Sequence, residues 1–311
     1  MNIMIEHIYK IIKNEYFLVS IIIILAFGVR LYRINSPIAD WHSWRQADTA
    51  SVSKIYVERG IDFLFPRYHD ISSIQTGIFN KEGLRLVEFP LFNAIHATLY
   101  KSAPQISLEV WGRLTSIFSS LFSTFLIFLI GRKFIGKWGG LLASFFFAFL
   151  PFNIYFSRVI LPEPMAVAFG LLSLWLFVKF IDSERSWVLF SSAAVCSIAI
   201  LIKPFVFFYA APAIYLALKK YGIRKIIFNW RFLLALDITL VPFFLWRAWI
   251  NQYPAGIPFW QWAFNGDRIR FRPAFWKWIF GERFGRLILG VWGIVPFSFG
   301  LLDAKRKNYF N

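Results

Sequence analysis

Between residues 35 and 109 the sequence gathers side chains that can trade protons and hold anions. The stretch opens on Asp40-Trp41-His42-Ser43-Trp44-Arg45-Gln46-Ala47-Asp48-Thr49, continues through Arg67-Tyr68-His69-Asp70 and closes on Glu88-Phe89-Pro90-Leu91. Three of the chain's four histidines, His42, His69 and His96, fall in or just beyond it. Later come Ser157-Arg158, Pro162-Glu163-Pro164 and Lys203-Pro204. Arginine forks clamp phosphate oxygens, and an ionised carboxylate takes a proton from a hydroxyl. Aromatic faces suit a sugar ring or an isoprenoid chain. The candidate catalytic carboxylates are therefore Asp40 and Asp48. The candidate substrate-binding residues are His42, Arg45, Gln46, Arg67, Asp70, Glu88, Arg158, Glu163 and Lys203.

Plainer readings compete. Arg45 and Asp48 are three apart and can meet on one helix face. Glu163, between prolines, suits a helix start. Lys203-Pro204 reads equally as a helix break with a snorkelling lysine. His42 and His69, with Asp40 or Asp70, are weak metal candidates; no His-x-x-x-His spacing supports them, so surface-loop histidines are the better reading. The sequence requires no cofactor, and a divalent metal remains the alternative. The tryptophans at 246, 249, 260, 262, 276 and 278 read as membrane-interface anchors.

The elements that must position these groups are lipid-soluble. Of 311 residues, 58% are hydrophobic and 21% aromatic, with 16% charged. A soluble domain is usually about 45–50% apolar. The net charge of +17 fits basic residues flanking membrane spans rather than nucleic-acid binding. Cys196, the one cysteine, excludes a disulfide framework and reads as a small buried hydrophobe.

Apolar runs predict eight spans, at about 16–34, 110–131, 138–156, 165–180, 186–202, 205–218, 232–249 and 286–302. An interfacial helix precedes them over residues 1–15. Arg30 and Arg33 at the end of the first span are expected to snorkel to the headgroups. The two short external turns carry only Arg158 and Lys203, whereas the inner loops and ends carry fifteen basic residues. That asymmetry puts both termini in the cytoplasm. Residues 35–109 then form a first external loop and 250–285 a second. Within the first loop, Ser43 with Gln46 fits a capping box and Gly60 a stop, predicting a surface helix over 43–59. Residues 61–87 read as loop and 88–101 as a second amphipathic segment. The fold class is all-α integral membrane, a polytopic bundle of about eight transmembrane helices.

This layout resembles the GT-C glycosyltransferases, in particular the protein-mannosyltransferase and aminoarabinose-transferase-like group (glycosyltransferase family 39-like). The run from Trp41 to Ala50 is similar to a bacterial and archaeal subgroup with His-x-Trp-Arg-Gln-Ala-Asp-Thr-Ala. Glu88-Phe89-Pro90-Leu91 stands where the family has a Pro-Pro-Leu-type element, and Ser157-Arg158 with Pro162-Glu163-Pro164 resembles its acidic second external loop. The resemblance covers nearly the whole chain, 1–311, as a single GT-C-like module; family members commonly continue into a C-terminal external domain, and a natural short form, a split gene and a truncation are the alternatives here. It implies inverting transfer of one sugar from a polyprenyl-phosphate donor to a lipid, glycan or protein acceptor, at the outer face of a prokaryotic plasma membrane. It also implies an Asp of the first external loop as general base. The family's usual Asp-Glu pair falls here on Arg45-Gln46 in one register, which leaves Asp40 or Asp48. Asp40 is favoured, since it lies in a loop at a helix N-terminus.

Two rival functions follow from the same residues. A transporter or flippase of a polyprenyl-linked glycan needs polar, broken helices near the midplane, whereas the polar groups here cluster at one face. A non-catalytic membrane assembly subunit is the other.

Overall fold

The computed structural model describes residues 14–259, 265 and 267–304. The expected interfacial helix, apart from its last residues, and Trp260, Trp262 and Lys305–Lys307 lie outside them. The described chain forms α1 (Glu15–Arg30), α2 (Ser43–Arg59), α3 (Leu91–Ser102), α4 (Leu108–Phe149), α5 (Pro151–Phe156) and α6 (Glu163–Ser183). Then follow α7 (Ser186–Ile202), a 3-10 turn Pro204–Tyr209, α8 (Ala210–Phe228), α9 (Trp230–Ile250), α10 (Pro273–Lys277), a π-helical stretch Trp278–Ile288 and α11 (Ile294–Ala304). Among the described residues there is no strand, only an antiparallel bridge between Arg67 and Leu84.

Three helices, α4, α6 and α9, are long and apolar enough to cross a membrane, and α7 is apolar but shorter. The 42 residues of α4 would reach about 63 Å if straight, roughly twice a bilayer's hydrocarbon core. They do not run straight. Gly136 takes φ 83° and ψ −179°, and a Cβ on Gly131 would stand 2.9 Å from the Gly140 Cα. The chain therefore doubles back there, between the two spans expected at 110–131 and 138–156. The span expected at 286–302 is not one helix. Positive φ at Gly290 and Val291 separates the π-helical stretch from α11.

The chain divides into two compact units. One comprises the described residues of Met1–Tyr32, Ile127–Ser157 and Phe259–Asn311. Here Arg30 is wholly buried rather than snorkelling. Its guanidinium donates to Ser157 Oγ (2.6 Å), Ala26 O and Ala148 O (both 2.9 Å). A charge this far from water persists only with such partners.

The second unit, Arg33–Leu126 with Arg158–Pro258, contains every residue of the candidate site. In it α6 and α7 are clasped by a reciprocal serine pair, Ser173 Oγ to Ser192 O at 2.9 Å and Ser192 Oγ to Ser173 O at 2.8 Å. Small polar residues let apolar helices approach closely and satisfy each other. Helix α9 joins them through a core of Phe180, Val188, Leu189, Ala193 and Ala235. Helices α2 and α3 pack over Val52, Tyr56, Ala94 and Ala97. The loop between them is ordered by buried Asn80, which bonds both backbone groups of Leu84. Gly83 turns it at φ +60°, with Tyr68 O where a Cβ would be. Trp246 and Trp249 are not interface anchors: Trp246 is buried with Leu84, Leu86 and Ile250, and Trp249 Nε1 donates to Leu64 O at 3.1 Å. They seat the first loop on α9.

Candidate active site

Helix α2 spans the predicted residues and stops at Gly60, whose φ of 94° only glycine adopts without strain. Its start differs from expectation. The N-cap is His42, at φ 62°, with no side-chain cap, so Ser43 and Gln46 form no capping box. The Ser43 N–H bonds Asp40 O, and His42 O accepts from the N–H groups of Arg45 and Gln46. His42 stacks on Trp41, ring centroids 4.9 Å apart.

Gln46 was a candidate substrate contact, but it is fully buried and engaged within the protein. Its Nε2 donates to Asp40 Oδ1 at 2.6 Å and, more weakly, to Trp41 O at 3.3 Å. Its Oε1 accepts from the Ile160 N–H at 3.1 Å. Only this amide orientation works, since a flip would set oxygen against carboxylate and N–H against N–H. Asp40 itself is exposed.

Beside Gln46, Arg45 makes its direct ion pairs with other segments rather than with Asp48. It forms an ion pair with Glu88, and its Nη2 is 3.9 Å from Glu163 Oε1. Lys203 Nζ reaches the same two carboxylates, at 2.5 Å from Glu88 Oε1 and 2.9 Å from Glu163 Oε1. Four residues from four segments thus meet: the first turn of α2, the loop before α3, the start of α6 and the end of α7. Lys203 is no mere snorkelling lysine, for its side chain is only 14% exposed and carries both pairs. Burial alone would raise the Glu88 carboxyl, but Lys203 and then Arg45 outweigh it and hold it below its ordinary range. Burial would likewise lower Arg45, and Glu88 followed by Glu163 more than reverse this. Glu163 is the most exposed of the four, at 45%, and its Oε2 has no hydrogen-bond partner.

Asp48 belongs to another network. Arg85 Nη2 and Gln75 Nε2 lie 3.0 and 3.1 Å from its Oδ2. Arg85 also donates to Gln75 Oε1 and lies over the Tyr68 ring. Burial raises the Asp48 carboxyl, only partly opposed by Arg85 and Gln75. Asp70 touches the edge of this network, with Gln75 Nε2 at 3.5 Å from its Oδ2. Its carboxyl is lowered chiefly by hydrogen bonds from Ser72. Arg85 was missed in the sequence. Its signal was a charge between two buried leucines, Leu84 and Leu86, which demands a partner. A small hollow of about 20 Å³ opens between the two networks, lined by Arg45, Asp48, Arg85, Glu88, Asn93 and Pro162 among others.

The remaining candidates lie elsewhere or play other parts. Arg67 pairs with Glu82 at 3.0 Å on the surface, outside the cluster. Arg158 is half-buried in the turn before α6. His69 Nδ1 contacts Ser51 Oγ at 2.6 Å, and among the described residues no group of three or more His, Cys, Asp or Glu could hold a metal ion. His96 is buried on α3 with Nε2 at 2.6 Å from Leu108 O, and burial lowers its pKa to about 4.

Residues 105–249 match the family model of the dolichyl-phosphate-mannose-protein mannosyltransferases. That span includes Arg158, Glu163 and Lys203 and leaves out the first-loop residues Asp40, Arg45, Asp48 and Glu88. With the apolar helices, the match supports a GT-C-like membrane glycosyltransferase. No curated protein matches the chain.

Proposed function

We propose that this protein transfers a sugar from a polyprenyl-phosphate donor to an acceptor hydroxyl at the outer face of the membrane. The observation that carries the reading is the four-residue ion cluster at the ends of two apolar helices. Arg45 and Lys203 are concentrated there against carboxylates of which one, Glu163, has a side chain 45% exposed and a buried Oε2 without a hydrogen-bond partner. The donor phosphate takes the place of Glu163 at these two cations, while Glu88 keeps them aligned. Charge-assisted bonds of this kind are the strong ones. Arg158, in the turn before α6, is close enough in sequence to Glu163 to join them.

Asp40 acts as the general base. It is exposed, and one oxygen is oriented by a neutral amide that leaves its charge intact. The acceptor O–H gives its proton to Asp40, and its oxygen forms the new bond to the anomeric carbon. The bond from that carbon to the phosphate oxygen breaks with its electron pair, inverting the centre. The lipid phosphate leaves against Arg45 and Lys203. Asp48, matched to Arg85, holds the loop. No cofactor is needed for these steps.

The outer-face assignment rests on a cytoplasmic N-terminus and on the basic residues of the short inner loops. Cysteines placed at Gln75 and Gln105 should label with an impermeant reagent in intact cells, and one at Lys225 should not. Labelling at Lys225 alone overturns it. The chemistry is tested by purifying the chain and measuring binding of a polyprenyl-phosphate sugar by wild type and Lys203→Met. At least a tenfold loss of affinity in the variant is expected, and equal affinity rules the phosphate site out.

A further inference from the structure

We propose that Gln46 is a positioning residue for the reaction: its buried amide aims the Asp40 carboxylate and ties it to the turn that carries Arg158 and Glu163. The proposal rests on Asp40 being the base. A glutamine wholly out of water, on the inner side of an amphipathic helix, must have all its polar atoms satisfied. Gln46 satisfies them on two segments at once, Asp40 Oδ1 on one side and the Ile160 N–H on the other. Those segments are 120 residues apart in sequence, and the same turn leads directly into Glu163. The turn and Asp40 are therefore linked through the two hydrogen bonds of one side chain.

The choice of an amide is chemically pointed. A neutral donor orients a carboxylate without cancelling its charge, and a bond to the ionised form favours ionisation. The titratable and charged groups nearest Gln46 on the elements that meet there are the N-cap His42, Arg45 and Asp48 on α2, and Arg158 and Glu163 on the turn. Arg113 holds the approach to Asp40 by donating to Ile34 O, Ser36 O and Pro37 O. Arg45 faces Glu88 and Glu163 instead of Asp40.

The test uses the whole chain, a polyprenyl-phosphate sugar donor and three variants. Gln46→Glu keeps the size and the acceptor for Ile160 N–H, and replaces the donor to Asp40 with a second acid. Two carboxyls at this distance share a proton. The acid limb of the kcat–pH profile should move up by about one unit or more, with donor KM within about twofold of wild type. Gln46→Met removes the donor without adding an acid, and its kcat should fall about tenfold with donor KM again unchanged. A merely structural glutamine predicts no movement of the acid limb. An unmoved limb in Gln46→Glu, or wild-type kcat in Gln46→Met, overturns the proposal. Where Gln46→Glu does not purify folded, the Gln46→Met kcat decides. Asp40→Asn is the third arm. Should it retain turnover, Asp40 is not the base and the underlying reading fails. Should it be inactive while both Gln46 variants behave as wild type, only the role of Gln46 fails.

Discussion

Asp40 and Asp48 lie two turns of chain apart around the same helix and have opposite surroundings. Asp40 is exposed, and its Oδ1 meets a neutral amide. Asp48 is half-buried, and its Oδ2 meets a guanidinium and an amide together. The guanidinium neutralises what it orients, while the amide orients and leaves the charge available. Two carboxylates that look interchangeable in sequence are thereby divided into one suited to accept a proton and one suited to hold a loop. Arg45, between them, makes its direct ion pairs with neither. It turns to the cluster with Glu88, Glu163 and Lys203.

Each part of this contrast can be broken separately. The largest effect is expected from Asp40→Asn, a loss of about 10²-fold or more in kcat, the low end for removing a general base. Donor affinity should be unchanged, as read by equilibrium binding. Next come Arg45→Ala and Lys203→Met, each weakening donor binding by about tenfold, some 1.4 kcal/mol. Arg45→Lys should recover only part of this, because a point charge lacks the fork. Asp48→Asn should cost activity little, within about fivefold, and stability more. It leaves the buried Arg85 short of its counter-charge, worth about 3 kcal/mol, seen as a lower thermal midpoint. Smallest is Arg67→Ala, whose surface pair with Glu82 contributes about 0–1 kcal/mol. It should change neither donor binding nor the melting temperature measurably.

Much of the scaffold was legible in the sequence because its signals are local. Helix α2 and its glycine stop, helix α3, and the reversal near Gly136 all follow from periodicity and punctuation within a dozen residues. The failures share one cause, which is that side chains chose distant partners over near ones. Arg45 and Asp48 satisfy the helix spacing rule, yet Glu88 and Arg85 win because burial between α2 and the loop makes a full counter-charge worth more than an exposed helix pair. Gln46 forgoes the capping box for the same reason, its side chain being buried against Ile160. Arg30 was expected to reach the headgroups, but the neutral oxygens of Ala26, one turn away, and of the distant Ala148 and Ser157 enclose it. Lys203 does stand at a helix break, but two carboxylates that no local spacing links to it hold its side chain.

The account stands most directly on separating binding from turnover in one set of preparations. Wild type, Asp40→Asn and Lys203→Met would each be reconstituted with a polyprenyl-phosphate sugar, measuring bound donor and sugar released to acceptor. The account predicts that Asp40→Asn binds donor as wild type does and transfers about a hundredth as much or less, while Lys203→Met fails at binding. Full transfer by Asp40→Asn, or undiminished binding by Lys203→Met, contradicts it.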